Sequence, residues 1–250
     1  MTPFISVIMP AYNSEPYIAD AIGSLLSQTA VEVEVIVVSD GSTDGTERIV
    51  DAMATNEPRI RLLVEKHCGV AAARNAGLAA ARANLITFLD SDDLCAPGRL
   101  QRQAQFLIEN ETIEAVIGDL LLFDIAGPDG RPGPRARTQR VTGMSLTNIL
   151  FRRSVFERIG HCDETFLWAE DMDFLLRLWE RRTAVHFEGE VAVYYRRHSS
   201  NMTNNRAAIR LYVLRALHQS LTRRRQDGNT EPLPPSFGRF MKREEAFQNG

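Results

Sequence analysis

Apolar, β-branched runs alternate along the chain with segments whose apolar residues recur at helical spacing. That alternation predicts crossover connections around a mostly parallel sheet. Ile5–Met9 reads as a first strand, ended by Pro10, and Ser14-Glu15-Pro16 opens a helix that runs through Gln28. Ser14 is its expected cap, Pro16 suits the first turn, and Ile18, Ile22, Leu25 and Leu26 form the apolar stripe. Glu34–Val38 is the second strand, followed by a turn-rich loop from Asp40 to Thr46 and a helix from about Glu47. Ile60–Val64 and Leu85–Leu89 are the third and fourth strands, with an alanine-rich helix over Gly69–Arg82 between them. The first ninety residues thus read as one βαβαβαβ unit.

Beyond Asp93 the pattern becomes less regular. Pro97–Glu109 predicts a helix and Ala115–Asp124 a strand, whereas the Pro/Gly/Arg-rich stretch Gly127–Arg140 reads as a long mobile loop. Helices are expected near Arg152–Ile159 and Asp171–Arg182, then a strand over Ala184–Tyr195. A basic helix over Arg206–Arg225 and a Pro-rich polar tail from Asp227 complete the chain.

Composition narrows the class. The 250 residues are 44% hydrophobic and 24% charged, which suits a soluble globular chain and excludes collagenous, disulfide-scaffold and globally disordered types. A net charge of −3 argues against a general nucleic-acid binder. It conceals a split, because residues 196–250 carry a local +7. Cys68, Cys95 and Cys162 form no C-x-x-C pair, so the expected compartment is the reducing cytoplasm. Neither a secretory signal nor a run of roughly twenty apolar residues occurs.

In an open parallel sheet, ligands bind beyond the carboxyl ends of the strands. Those ends carry Pro10-Ala11-Tyr12-Asn13, Ser39-Asp40-Gly41-Ser42 and Asp90-Ser91-Asp92-Asp93. Turn chemistry alone explains an isolated Asp40. Three carboxylates within four residues are different: they repel one another unless a cation or hydrogen-bond donors compensate them. Hard divalent ions take such oxygens and complete their shell with substrate phosphates and water. Asp93 is read instead as a helix cap. Glu170-Asp171 opens a helix next to Trp168, and serves either the helix dipole or general-base chemistry. His198, delivered by a strand into a Ser/Asn segment, is either structural or a ligand. Gly-x-Gly-x-x-Gly after the first strand, the P-loop and the nucleophile elbow are all absent.

Taken in order, these motifs resemble the family 2 glycosyltransferases. The resemblance rests on Ile5–Asn13, Val37–Thr46, Gly69–Gly77, Phe88–Asp93, Glu170-Asp171 and Tyr195–His198, and covers about residues 4–205. It implies a GT-A-type, Rossmann-like α/β fold of nucleotide-diphospho-sugar transferases, with a mostly parallel central sheet flanked by helices. A nucleotide-sugar-binding half over 1–93 and an acceptor half over 94–205 would precede the basic helix and tail. Pro10, Tyr12, Asn13, Asp40, Arg74, Asp90 and Ser91 would bind the nucleotide sugar, with Asp40 accepting from the base and Asp90 facing the ribose. Asp92 would hold Mn2+ or Mg2+, with His198 as a further ligand. Asp171 would be the catalytic base, with Glu170 beside it.

The implied activity is metal-dependent, inverting transfer from a UDP-sugar to a carbohydrate, lipid-linked or other small acceptor in cell-surface polysaccharide or glycoconjugate biosynthesis. A Gln-x-x-Arg-Trp motif is missing, which favours single addition over processive synthesis. A non-catalytic binding protein of the same fold and a sugar nucleotidyltransferase are the alternatives, the latter weakened because Pro10–Tyr17 holds no Arg, Lys or Gly. For Arg206–Arg225, the stripe Ile209, Val213, Ala216, Leu217 and Leu221 is expected to pack on the catalytic domain with its arginines solvated. Peripheral contact with an anionic membrane is the competing reading.

Overall fold

In the computed structural model, which describes residues 2–143 and 145–229, nine strands among the described residues form one sheet. Four of them, β1 (Phe4–Ala11), β2 (Glu32–Asp40), β3 (Ile60–Glu65) and β4 (Leu85–Phe88), lie parallel in the order β3-β2-β1-β4. The nearly unbroken apolar runs of β1, β2 and β4 follow from burial on both faces, whereas edge strand β3 is only partly buried. Helices α1 (Ile18–Leu26) and α2 (Thr46–Asn56) cover the face that carries Ile5, Val7, Met9, Val35 and Val37. Helix α3 (Val70–Ala80) covers the other, against Ile8, Ile36 and Val38. The expected βαβαβαβ unit is therefore present.

The second half departs from expectation. β4 pairs antiparallel with β8 (Ile149–Arg152), β8 with β6 (Ala115–Phe123), and β6 runs parallel to β9 (Val185–Arg196). A two-residue β5 (Leu94–Cys95) pairs antiparallel with β9. Strands β5 and β8 were not expected, since runs this short carry no periodicity of their own. Nor is Gly127–Arg140 a featureless loop. An Ala126–Pro132 bridge closes its tip, and its end enters β7 (Thr138–Val141), antiparallel to β6. Helices α4 (Arg99–Glu109), α5 (Arg153–Ile159), α6 (Glu170–Glu180) and α7 (Arg206–Gln226) complete the described chain. The tail beyond Asn229 lies outside the described residues.

Two expected caps are not caps. Regular α1 begins only at Ile18, and the Ser14 hydroxyl instead meets that of Ser91 at 2.6 Å, tying the end of β1 to that of β4. Asp93 is buried and accepts from the Arg196 amide at 2.9 Å, while α4 opens after a left-handed Gly98. Helix α7 packs on α6 through Phe166, Leu176, Ala216, Tyr212 and Leu217. Its arginines are not all solvated: Arg223 pairs with Asp173 at 3.1 Å and Glu180 at 2.8 Å, and Arg215 donates to the Thr165 carbonyl at 2.9 Å. Leu221, expected inside the packed stripe, is exposed.

Two details fix where α3 sits. Gly77 lets it approach β1 closely, because a Cβ there would lie 2.3 Å from Cγ2 of Ile8 and 3.2 Å from Cγ2 of Val38. At the turn after α3, buried Glu34 accepts from the Ser6 hydroxyl at 2.6 Å, the Arg82 amide at 2.7 Å and Arg61 at 3.1 Å. Burial raises the proton affinity of Glu34, and these three donors reverse that, leaving it below its ordinary 4.5.

Gly77→Val should lower stability by about 2 kcal/mol in denaturant titrations, because overpacking outweighs any gain in helix propensity. Glu34→Gln should cost about 1–3 kcal/mol at neutral pH. A lowered folded-state value means the stabilisation is complete above the ordinary carboxylate range and disappears as pH falls through the lowered value. Melting curves of wild type and Glu34→Gln should therefore converge on acidification.

Candidate active site

The carboxyl ends of β1, β2 and β4 converge with the N-terminus of α6 and the end of β9. After β1 the chain turns at Asn13, whose φ of 49° is left-handed, a conformation asparagine tolerates. The Asn13 side chain accepts from the Thr43 amide at 2.8 Å and so joins the β1 loop to the β2 loop. Half-exposed Tyr12 stacks on His67 with ring centroids 4.4 Å apart. Pro10 lies buried within β1, paired with Val38.

Asp40 is buried at the end of β2. Its carboxylate accepts from the amides of Cys68 at 2.7 Å and Gly69 at 3.0 Å, and His67 Nδ1 lies 3.0 Å away. It thus fixes the entry to α3 and, through His67, holds the ring on which Tyr12 stacks. His67 had no signal in the sequence, since its contacts join residues distant along the chain.

One turn before Gly77, α3 presents Arg74. Its buried guanidinium donates to Asp90 at 2.9 Å and to Glu170 in a closer contact. Burial opposes the charge on Arg74, but Glu170 and Asp90 outweigh it and hold the group protonated. Glu170 itself is pushed upward, because burial exceeds the attraction of an arginine shared with Asp90 and the neighbouring Asp171 adds repulsion. For Asp90 too, burial is the largest influence and raises it, against Arg74 and with Asp92. One cation thus binds two carboxylates from opposite halves of the chain.

Asp92 faces the other way. Its Oδ2 lies 2.9 Å from His198 Nε2 and accepts from Asn201 Nδ2 at 3.2 Å. His198 is held on three further sides: Nδ1 is 2.8 Å from the Ser200 hydroxyl, the amide donates to Asn201 Oδ1 at 2.6 Å, and the ring stacks on Tyr17 at 4.5 Å. Asn201 is buried and carries no distinguishing signal in the sequence, where it reads as part of a polar loop. Arg196 supports the same cluster. Its carbonyl accepts from Asn201, and its side chain reaches Asp20 at 3.2 Å and the Gly130 carbonyl at 3.3 Å.

Asp171 stands second in α6, after a left-handed Ala169 with φ of 55°. Its Oδ1 accepts from the Met172 amide at 2.8 Å, and it is partly exposed where Glu170 is buried. It is near enough to repel Asp90. Asn75 secures the preceding loop, exchanging hydrogen bonds with the Cys162 backbone at 3.0 Å in each direction. Of the two adjacent carboxylates, only Asp171 is open to an incoming group.

No group of three or more His, Cys, Asp or Glu side chains forms a metal cage among the described residues. Asp92 and His198 are nonetheless adjacent, and a carboxylate oxygen with an imidazole nitrogen suits a Mn2+ or Mg2+ ion that takes its other ligands from phosphate and water.

Removing the shared cation should be costly. Arg74→Met leaves Asp90 and buried Glu170 without their partner and should lower stability by about 3–5 kcal/mol in thermal melts. Arg74→Met combined with Glu170→Gln should recover part of that loss, giving a coupling clearly different from zero in the double-mutant cycle.

The profile described as "Glycosyl transferase family 2" matches residues 6–160. The chain is 31% identical over 223 residues to the uncharacterized glycosyltransferase EpsJ of Bacillus subtilis, covering 81% of this chain and 64% of that relative. Among solved structures, TarS 1–349 of S. aureus in complex with UDP-GlcNAc is similar with a TM-score of 0.65 and 23% identity, covering 82% of this chain and 61% of that one. The mannosyltransferase PcManGT of Pyrobaculum calidifontis, in complex with GDP-Man and Mn2+, has a TM-score of 0.69 and 20% identity, covering 95% and 67%. The fold is accordingly of the GT-A type. The chain thus spans about two thirds of the length of these relatives, and the matched stretch runs from the first strand through Asp90–Asp93 to the end of α5. A profile match over more than half of the chain establishes that it belongs to glycosyl transferase family 2.

Proposed function

We propose that the chain transfers a sugar from a nucleotide-diphosphate sugar, a UDP-sugar by preference, to an acceptor hydroxyl with inversion at the anomeric carbon. The observation that carries this reading is the Arg74 bridge, which joins Asp90 of the nucleotide side to Glu170 and so brings the open Asp171 to the strand ends. Family membership and the donors in the TarS and PcManGT complexes support the donor class.

The half-exposed face of Tyr12, backed by His67, offers a stacking surface for the base. Pro10, Asn13, Asp40 and Ser91 shape and brace that end of the pocket, and Arg74 with Asp90 borders the sugar and phosphate. Asp92 and His198 would hold the divalent ion, with Ser200 and Asn201 fixing the orientation of the His198 ring. When bound, that ion supplies Lewis-acid stabilisation of the leaving diphosphate.

Asp171 accepts the proton of the acceptor hydroxyl as its oxygen attacks the anomeric carbon from the side opposite the diphosphate, and one direct displacement inverts the centre. Buried Glu170, tied to Arg74, positions the start of α6. The acceptor is a carbohydrate or a lipid-linked saccharide, and the process is polysaccharide or glycoconjugate assembly. Its three free cysteines are compatible with a cytoplasmic location.

Calorimetry with UDP and Mn2+, paired with a transfer assay, tests the roles. Asp171→Asn should keep nucleotide affinity within about twofold and lower turnover by about 10²–10⁴-fold. Asp92→Ala should lose the metal-dependent part of nucleotide binding. Wild-type turnover in Asp171→Asn would refute the assignment of the base.

A further inference from the structure

Helix α7 has two apolar faces. The inner one packs on α6, with Ala216 and Ser220 as its fully buried positions. The outer one is formed by Ala207, Leu211, Leu214, His218, Leu221 and Arg225, spaced alternately four and three residues apart. At 100° per residue this stripe lies on the side of the helix opposite Ala216 and Ser220. Leu211 and Leu214 are each 65% exposed, and Leu221 is 50% exposed. Three leucines in line on one exposed helix face exceed what isolated surface leucines require.

The charges around the stripe indicate what covers it. No acidic residue occurs between Arg206 and Gln226. Arg215 and Arg223 are engaged with Thr165, Asp173 and Glu180, and half-buried Arg224 stands between the two faces, whereas exposed Arg210 borders the outer stripe and exposed Arg225 lies on it. Pairing two copies antiparallel along this face would set Arg210 of one against Arg225 of the other, a like-charge arrangement. A tight helix–helix seam would also bury His218 and Arg225. A lipid interface does not: arginine and histidine on the stripe reach back to the phosphates while the leucines enter the acyl boundary.

We propose that α7 docks on an anionic bilayer, with Leu211, Leu214 and Leu221 inserted at the headgroup boundary and Arg210 and Arg225 on lipid phosphates. The helix is already anchored by its inner face, so docking needs no refolding and leaves the outer face free. Its N-terminus continues directly from the segment that bears His198 and Asn201, with Asn205 capping the Ala208 amide at 3.2 Å. Lipid contact therefore holds that edge of the site near the membrane plane. Binding through three leucines and two arginines is weak, reversible and sensitive to salt.

Co-sedimentation of the full chain with phosphatidylglycerol-rich vesicles, against pure phosphatidylcholine vesicles, tests this directly. Wild type should partition onto the anionic vesicles alone. Leu211→Ser/Leu214→Ser and Arg210→Glu/Arg225→Glu should each bind at least about tenfold more weakly with unchanged melting curves. Absence of wild-type binding, or full binding by the Arg210→Glu/Arg225→Glu protein, overturns the proposal. So does self-association in sedimentation velocity that Leu211→Ser/Leu214→Ser abolishes, which would assign the face to a second copy. Should the leucine variant fail to fold, the charge variant decides. No arm reads turnover, so the outcome is independent of the proposed reaction.

Discussion

The site depends on a single buried cation. Arg74 is out of water, and the desolvation of a guanidinium is offset only by short contacts of good geometry to carboxylates. Asp90 and Glu170 supply them, one from the end of β4 and one from the start of α6. Because Glu170 and Asp171 are neighbours at the same helix start, capturing the first fixes the second. The bridge leaves the local balance negative, with Asp92 and Asp171 uncompensated by Arg74. On the proposed reading, a divalent ion would complement that excess and a diphosphate would complement the ion.

Much of the first half is legible in the order of its residues. Both-face burial makes β1, β2 and β4 read as nearly unbroken apolar runs, edge strand β3 is legible from Ile60, Leu62, Leu63 and Val64, and turn-rich loops mark their ends. The same rules fail for β5 and β8, whose two and four residues are strands only because β9, β4 and β6 offer backbone partners. Ser14 and Asp93 stand where caps are common, yet each is taken by a more distant donor or acceptor. Sequence proximity favours the cap reading, whereas the folded chain offers Ser91 and the Arg196 amide. In the candidate site, Asp92 and His198 stand out as residue types, but Asn201 and His67 do not, because their partners are fixed only when remote segments meet.

The basic helix shows the same limit from another side. Of the expected stripe, Ala216 and Leu217 join the packing against α6 while Leu221 belongs to the second, outer face. What composition cannot separate are arginines that close the packing from those left outside. Arg223 fills the first role because Asp173 and Glu180, one helix away, lie within reach. The charge asymmetry of the C-terminal region is therefore partly structural glue and partly exposed surface.

Gly130 sits over the Asp20–Arg196 ion pair, where a Cβ would lie 2.7 Å from an Asp20 oxygen. Arg196 thus reads the position of the 127–133 turn with its side chain and serves Asp93 and Asn201 with its main chain. That loop can change its tip chemistry and length only while a carbonyl still meets that guanidinium. Exchange of this segment among relatives would proceed as replacement of a module with a fixed fastening point, and grafts that lose the fastening would disturb the His198 end of the site without touching any residue in it.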